Sequence, residues 1–200
     1  KYRKRNFSMV TYENFLEHTR NYLEELFSVI NQKNAHTFVL NNATEPFFPS
    51  KSLDLFHSGK SIIVSRDPRD IFAELYVSNG NFIPPHLKDK RLWDQKESFL
   101  LSKNIDKFIL QQKIFLNAHK KYNDDNRVLR VRFEDIVLNY EIEMKNILNF
   151  INPPIINHMS PKKYFNPESS KKNIGLWKQM KNSENIKRIE LELSEYCYKE

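Results

Sequence analysis

The residues with the clearest capacity for chemistry are Arg66 and the acids that follow it in Arg66-Asp67-Pro68-Arg69-Asp70. They come directly after the apolar, β-branched run Ser61-Ile62-Ile63-Val64-Ser65. A guanidinium is a permanently charged planar fork that matches the oxygens of phosphate or sulfate. At the carboxyl end of a strand and just ahead of a helix start, it lies where open α/β sheets bind ligands and where helix N-termini attract anions. Arg66 therefore reads as an anion ligand. The alternative is a plain ion pair with Asp67 or Asp70, since structural ion pairs are common.

Other chemistry-bearing types are less organised. The six histidines and the scattered carboxylates show no metal-ligand spacing, so no metal is expected. His18 has no partner at ligand spacing and reads as a surface residue. Ser58-Gly59-Lys60-Ser61 imitates the tail of a phosphate-cradling loop, but Asp54 stands where its first glycine should be. The stretch also precedes a strand instead of following one, so Gly59 reads as a turn glycine.

The elements that must hold Arg66 follow from local signals. Residues 61–65 have the pattern of a buried strand. Asp67 is a good N-cap, Pro68 suits the first helical position, and Asp70 falls in the first turn where the dipole favours a carboxylate. The helix should run to about Ser78 and stop at Asn79-Gly80-Asn81. Upstream, Thr11 can cap a helix to about Asn31, residues 37–40 form a candidate strand, and Lys51 to His57 a short helix. Downstream, residues 82–93 form a long loop of the kind that covers substrates. Helices are expected at 104–122 and 140–151, with a strand at 128–133 between them and an amphipathic helix near the end. Residues 155–182 read as a long irregular segment. The alternation argues for an α/β layered fold with a mostly parallel sheet.

Composition sets the bounds. Two hundred residues with 40% apolar content suit one domain with a core. The net charge of +7 points to an anionic partner, or simply to a lysine-rich solvated surface. No signature of a nucleic-acid-binding motif is present, so no nucleic acid is expected. No apolar run is long enough to span a membrane, and no secretory leader is visible. The single Cys197 excludes an internal disulfide and points to a reducing, cytoplasmic setting. The first residue is Lys1, so the chain is expected to lack its native start.

Taken together, the motifs resemble a known family. Residues 61–76 look like the 3′-phosphate-binding strand and helix of sulfotransferases that use 3′-phosphoadenosine-5′-phosphosulfate (PAPS). Residues 128–137, with Phe133-Glu134-Asp135-Ile136, resemble the family's strand ending in an aromatic-Glu-Asp-aliphatic sequence. Ser170 to Lys178, with Gly175 and Trp177, resembles its late basic Gly-x-Trp loop. The resemblance implies a three-layer α/β/α, P-loop-like fold, N-terminally truncated, over residues 1–200: a helical segment (1–36), an α/β core (37–151), and a nucleotide-covering loop with a C-terminal helix (152–200). It implies PAPS as co-substrate with no metal, and a hydroxyl or amino acceptor, plausibly a carbohydrate. Arg66 would bind the 3′-phosphate, with Ser169, Ser170, Lys171 and Lys172 closing over it. Trp177 would either support the loop near the adenine or anchor it in the core.

The sequence also departs from the family. The 5′-phosphosulfate loop is not found in residues 1–200. A family serine eight positions after the strand arginine is here Glu74, which would repel phosphate, so either its side chain turns away or the nucleotide sits differently; Ser78, one turn on, is the substitute ligand. The late loop reads Ser170-Lys171-Lys172, not Arg-Lys-Gly, which points toward the bacterial-type or carbohydrate branch. The catalytic Lys-Thr-His-x-Pro stretch is matched only by Asn42-Ala43-Thr44-Glu45-Pro46, leaving Glu45 as the first base candidate or as a turn cap, with His57 and His86 behind it. A catalytically degenerate nucleotide- or polyanion-binding module is the competing reading.

Overall fold

The computed structural model describes residues 11–31, 35–40, 49–77, 103–120, 124–153 and 165–199. Within them lie a parallel pair of strands and a set of helices, an α/β arrangement. Strand β1 (Ser61–Ser65) pairs in parallel with β2 (Val128–Arg132), in register from Ser61 opposite Val128 to Ser65 opposite Arg132. That register places the chain exits of both strands side by side. Arg66 and Phe133 therefore leave the sheet at the same edge.

Each exit turns at once into a helix. After β1, α3 (Pro68–Val77) starts at the proline, as its fixed φ and the Asp67 cap dictate. After β2, α5 (Phe133–Leu138) starts with no connecting loop, and α6 (Tyr140–Ile151) follows one residue later. The expected strand to residue 133 thus ends one residue early, and the expected connection at Glu134-Asp135 is helical. The N-terminal helix α1 (Tyr12–Ile30) is capped as anticipated, with the Thr11 hydroxyl accepting the Asn14 N–H at 3.2 Å. Helix α2 (Pro49–Leu53) is shorter than expected at its end. The next three N–H groups reach back only three residues, to Lys51, Ser52 and Leu53, which tightens the chain out of α-helical geometry.

Helices α4 (Ile105–Lys120) and α8 (Glu184–Glu192) supply the rest of the core. Phe72 of α3, Phe108 and Ile109 of α4, and Ile186, Ile189 and Leu193 at the end of the chain form one buried cluster. Phe72 and Phe108 meet edge to face with ring centroids 5.1 Å apart. Burying each such side chain contributes about 1.5–3 kcal/mol, so this cluster is what fixes α3, and with it Arg66 and Asp70, against the C-terminal segment.

Two expectations are corrected here. Residues 37–40 form no strand. A strand exists only through a ladder with a neighbour, and no strand among the described residues pairs with them; Val39 is 87% exposed, and Phe38 is held by stacking on Phe27. The irregular segment, where described, is instead a chain of short turns of helix: α7 (Pro167–Ser170) and 3₁₀ turns at Lys171–Asn173 and Leu176–Met180. Asn166 starts the series by accepting the Glu168 N–H at 3.0 Å. The expected long loop at 82–93 lies outside the described residues.

Candidate anion-binding site

The site is built around Asp67, which is 1% exposed. Its Oδ1 accepts the Arg69 N–H at 2.8 Å, the expected helix cap. The same carboxylate takes Arg69 Nε at 3.0 Å and Nη2 at 2.6 Å, and accepts the Tyr198 N–H at 2.9 Å. The backbone N–H of Asp67 donates in turn to Glu134 Oε1 at 2.7 Å. Glu134, from the start of α5, is fully buried. The aromatic-Glu-Asp stretch after β2 is thereby fastened to the turn after β1, as the strand register allows.

Arg69 is a connector, not a free cation. Beyond Asp67 its Nη1 donates to Glu190 at 2.7 Å and its Nη2 to the Tyr198 carbonyl at 3.0 Å. Its guanidinium stacks 4.0 Å from the Trp177 ring centroid. Burial disfavours its charge, yet the hydrogen bonds to Asp67 and Glu190 hold its pKa above the ordinary arginine value. Trp177 also packs against the core cluster, which is the anchoring role foreseen for it.

Asp70, one turn into α3, faces the late loop. Its carboxylate accepts the N–H of Gly175 at 2.8 Å and of Trp177 at 3.1 Å. Burial pushes its pKa up, and the two N–H donors offset part of that rise. Gly175 sits at φ 76°, in the left-handed region, which presents these N–H groups in one direction.

Arg66 lies beside this clasp. Its Nη2 donates to the Asn173 carbonyl at 2.7 Å, and its guanidinium lies 5.3 Å from the Phe133 ring centroid. Its Nη1 donates to the carboxylate of Glu74. The alternative in which Glu74 turns away is therefore overturned, and so is the pairing of Arg66 with Asp67 or Asp70. Both of those acids are occupied, by Arg69 and by the loop N–H groups. Glu74 is four residues after Asp70, on the same face of α3. The Nε of Arg66 is buried and finds no acceptor among the described residues.

The remaining candidates divide. Ser169 and Ser170 donate to the Asn166 carbonyl at 2.9 and 3.2 Å, and Lys171 pairs with Glu168 at 2.9 Å. Lys172 is exposed on the adjoining turn. These four immediately precede Asn173 along the chain, and the bonds of Ser169, Ser170 and Lys171 remain local. Glu45, Ser78 and His86 lie outside the described residues. Arg69 and Glu134 stand in motifs legible in the sequence, but no site role was expected of them; Glu190 and Tyr198 carry no local signal, because their partners are distant along the chain.

A cleft of about 210 Å³ opens between Asp67, Arg69, Asp70, Glu134, Gly175, Trp177, Lys178 and Tyr198, so three acids and two basic side chains line it. No helix among the described residues is long and apolar enough to cross a membrane.

With this geometry in place, comparison with known proteins gives one match. The model of a family described as sulfotransferase domain covers residues 50–192. No curated protein and no solved structure matches the chain significantly.

Proposed function

Since the chain belongs to the sulfotransferase domain family, we propose that it moves a sulfuryl group from PAPS to a hydroxyl or amino group, in a carbohydrate acceptor. The observation that carries the donor assignment is Arg66. It stands at the end of β1 beside the late loop, and its buried Nε has no acceptor among the described residues. A buried guanidinium N–H without a partner is costly, and a phosphate oxygen is the kind of acceptor that relieves it.

On this reading Arg66 holds the 3′-phosphate. Ser169, Ser170, Lys171 and Lys172 cover the nucleotide, and Ser78 adds a hydroxyl. Glu45 takes the proton of the acceptor group. When bound, PAPS supplies the sulfuryl group, and transfer requires acceptor, sulfur and leaving phosphate in line with the spreading negative charge stabilised. The Ser-Lys-Lys form of the late loop supports the bacterial-type or carbohydrate branch. The fold proposed is the three-layer, P-loop-like one, with residues 1–200 as one domain.

Binding of 3′-phosphoadenosine 5′-phosphate (PAP) to the full-length protein tests the reading. Arg66→Ala should weaken it by about 1.5–3 kcal/mol, the range for a charged hydrogen bond, and leave AMP binding unchanged. Equal loss for both nucleotides would remove Arg66 from the 3′-phosphate. A labelled-sulfate transfer screen over glycans and small alcohols then identifies the acceptor. A second reading, a non-catalytic nucleotide- or polyanion-binding module, is favoured by the Arg66–Glu74 contact; binding of PAP without transfer to any acceptor would select it.

A further inference from the structure

We propose that Glu74 is an affinity-setting residue that competes with the bound nucleotide for Arg66. The inference rests on the reading of Arg66 as the 3′-phosphate ligand and deepens it. Both outer nitrogens of Arg66 are already engaged, Nη1 by the Glu74 carboxylate and Nη2 by the Asn173 carbonyl. The buried Nε has no acceptor among the described residues. Each outer nitrogen still carries a second N–H, so an incoming phosphate first shares the guanidinium with Glu74, and gains its full charge and donor fork only when one of the two engaged partners lets go. The Asn173 carbonyl is fixed by a turn whose next residues, Gly175 and Trp177, are bound to Asp70. The Glu74 side chain ends in rotatable bonds and is the partner that yields.

Exchange of one anion for another has a cost. The Arg66 and Glu74 side chains are 20% and 25% exposed, so their attraction is only partly screened by water. The pair is also neutral as a whole, which removes the long-range pull that a lone Arg66 would exert on phosphate. A displaced Glu74 carboxylate would then stand near the phosphate and repel it. The consequence is weak holding and fast release of the spent nucleotide, with no loss of its position at the end of β1. Glu74 thus sets residence time.

The experiment compares wild-type, Glu74→Gln, Glu74→Ala and Arg66→Ala full-length proteins in PAP and AMP binding by calorimetry and stopped-flow. Glu74→Gln should tighten PAP binding by about tenfold or more, the worth of one charged hydrogen bond, chiefly through slower dissociation. AMP binding should be unchanged. Glu74→Ala should behave in the same direction, which guards against an effect peculiar to the glutamine amide. Unchanged or weaker PAP binding in both Glu74 variants, with Arg66→Ala still weakening it, overturns the competition while the phosphate reading stands. Loss of any Arg66→Ala effect overturns the phosphate reading itself, and the competition with it.

Discussion

Asp70 and Gly175, 105 positions apart, are joined by a backbone N–H to carboxylate hydrogen bond of 2.8 Å. The second oxygen of the same carboxylate accepts the Trp177 N–H at 3.1 Å. One side chain of α3 therefore holds the turn that passes over the end of β1. An acid in the first helical turn would ordinarily be satisfied by its own helix; here its bonds go to another segment. The position of Asn173 on Arg66 depends on that clasp.

Asp70→Asn should loosen the clasp. An amide keeps one acceptor but turns an N–H₂ donor toward one of the two backbone donors. We expect a loss of about 1–3 kcal/mol in urea unfolding, with earlier proteolytic cleavage near residues 173–178 than in wild type. Unaltered cleavage would mean that the core contacts of Trp177 and Met180 hold the loop without Asp70.

Arg69→Met should cost more, about 3–5 kcal/mol, because it leaves the Asp67 carboxylate buried beside Glu134 with its main counter-charge removed. Lysine should rescue little, since one ammonium cannot reach Asp67, Glu190 and the Tyr198 carbonyl together while lying flat on Trp177. Chemical denaturation of the two variants decides this; a stability of Arg69→Lys close to wild type would show that charge alone is needed.

Gly175→Ala tests the left-handed turn. At φ 76° an L-residue is strained by about 1–2 kcal/mol, while the nearest side-chain atoms to an added Cβ belong to the flexible end of Lys178 at 3.3 Å. The loss should therefore be conformational, and Gly175→Asn should recover part of it. Equal losses for alanine and asparagine would point to crowding instead.

Cys197 gives a pH prediction. Burial pushes its thiol up to about 11 from an ordinary 9.0, with Arg69 nearby pulling the other way. At pH 9 the native protein should therefore hold about fifty-fold less thiolate than an unfolded chain, and alkylation should be correspondingly slow. The sign for stability follows. A group with a raised native pKa favours the folded state fully below its unfolded value and loses that contribution as pH rises through about 11. Reaction with iodoacetamide across pH 8–11, native against urea-unfolded, measures it; equal rates at pH 9 would refute the burial effect.

The sequence alone determined the strand–turn–helix at 61–77, the capped helix at 12–30 and the buried faces of α4 and α8. Those signals are short-range: Asp67 and Pro68 act within one turn, and Thr11 within three residues. The residues clustered at the site were also legible as motifs, in Arg66-Asp67-Pro68-Arg69-Asp70, Phe133-Glu134-Asp135 and Gly175 to Trp177. Which acid each arginine takes was decided only by the tertiary structure. Asp67, Asp70 and Glu74 all lie close to Arg66 along the chain. The packing of α3 on α4 and α8 turns Asp67 toward Arg69 and Tyr198, Asp70 toward Gly175, and Glu74 toward Arg66. Likewise residues 37–40 had the composition of a strand and lacked a partner. Pairing, of charges as of strands, is a property of what arrives from elsewhere in the chain, and spacing along one segment does not contain it.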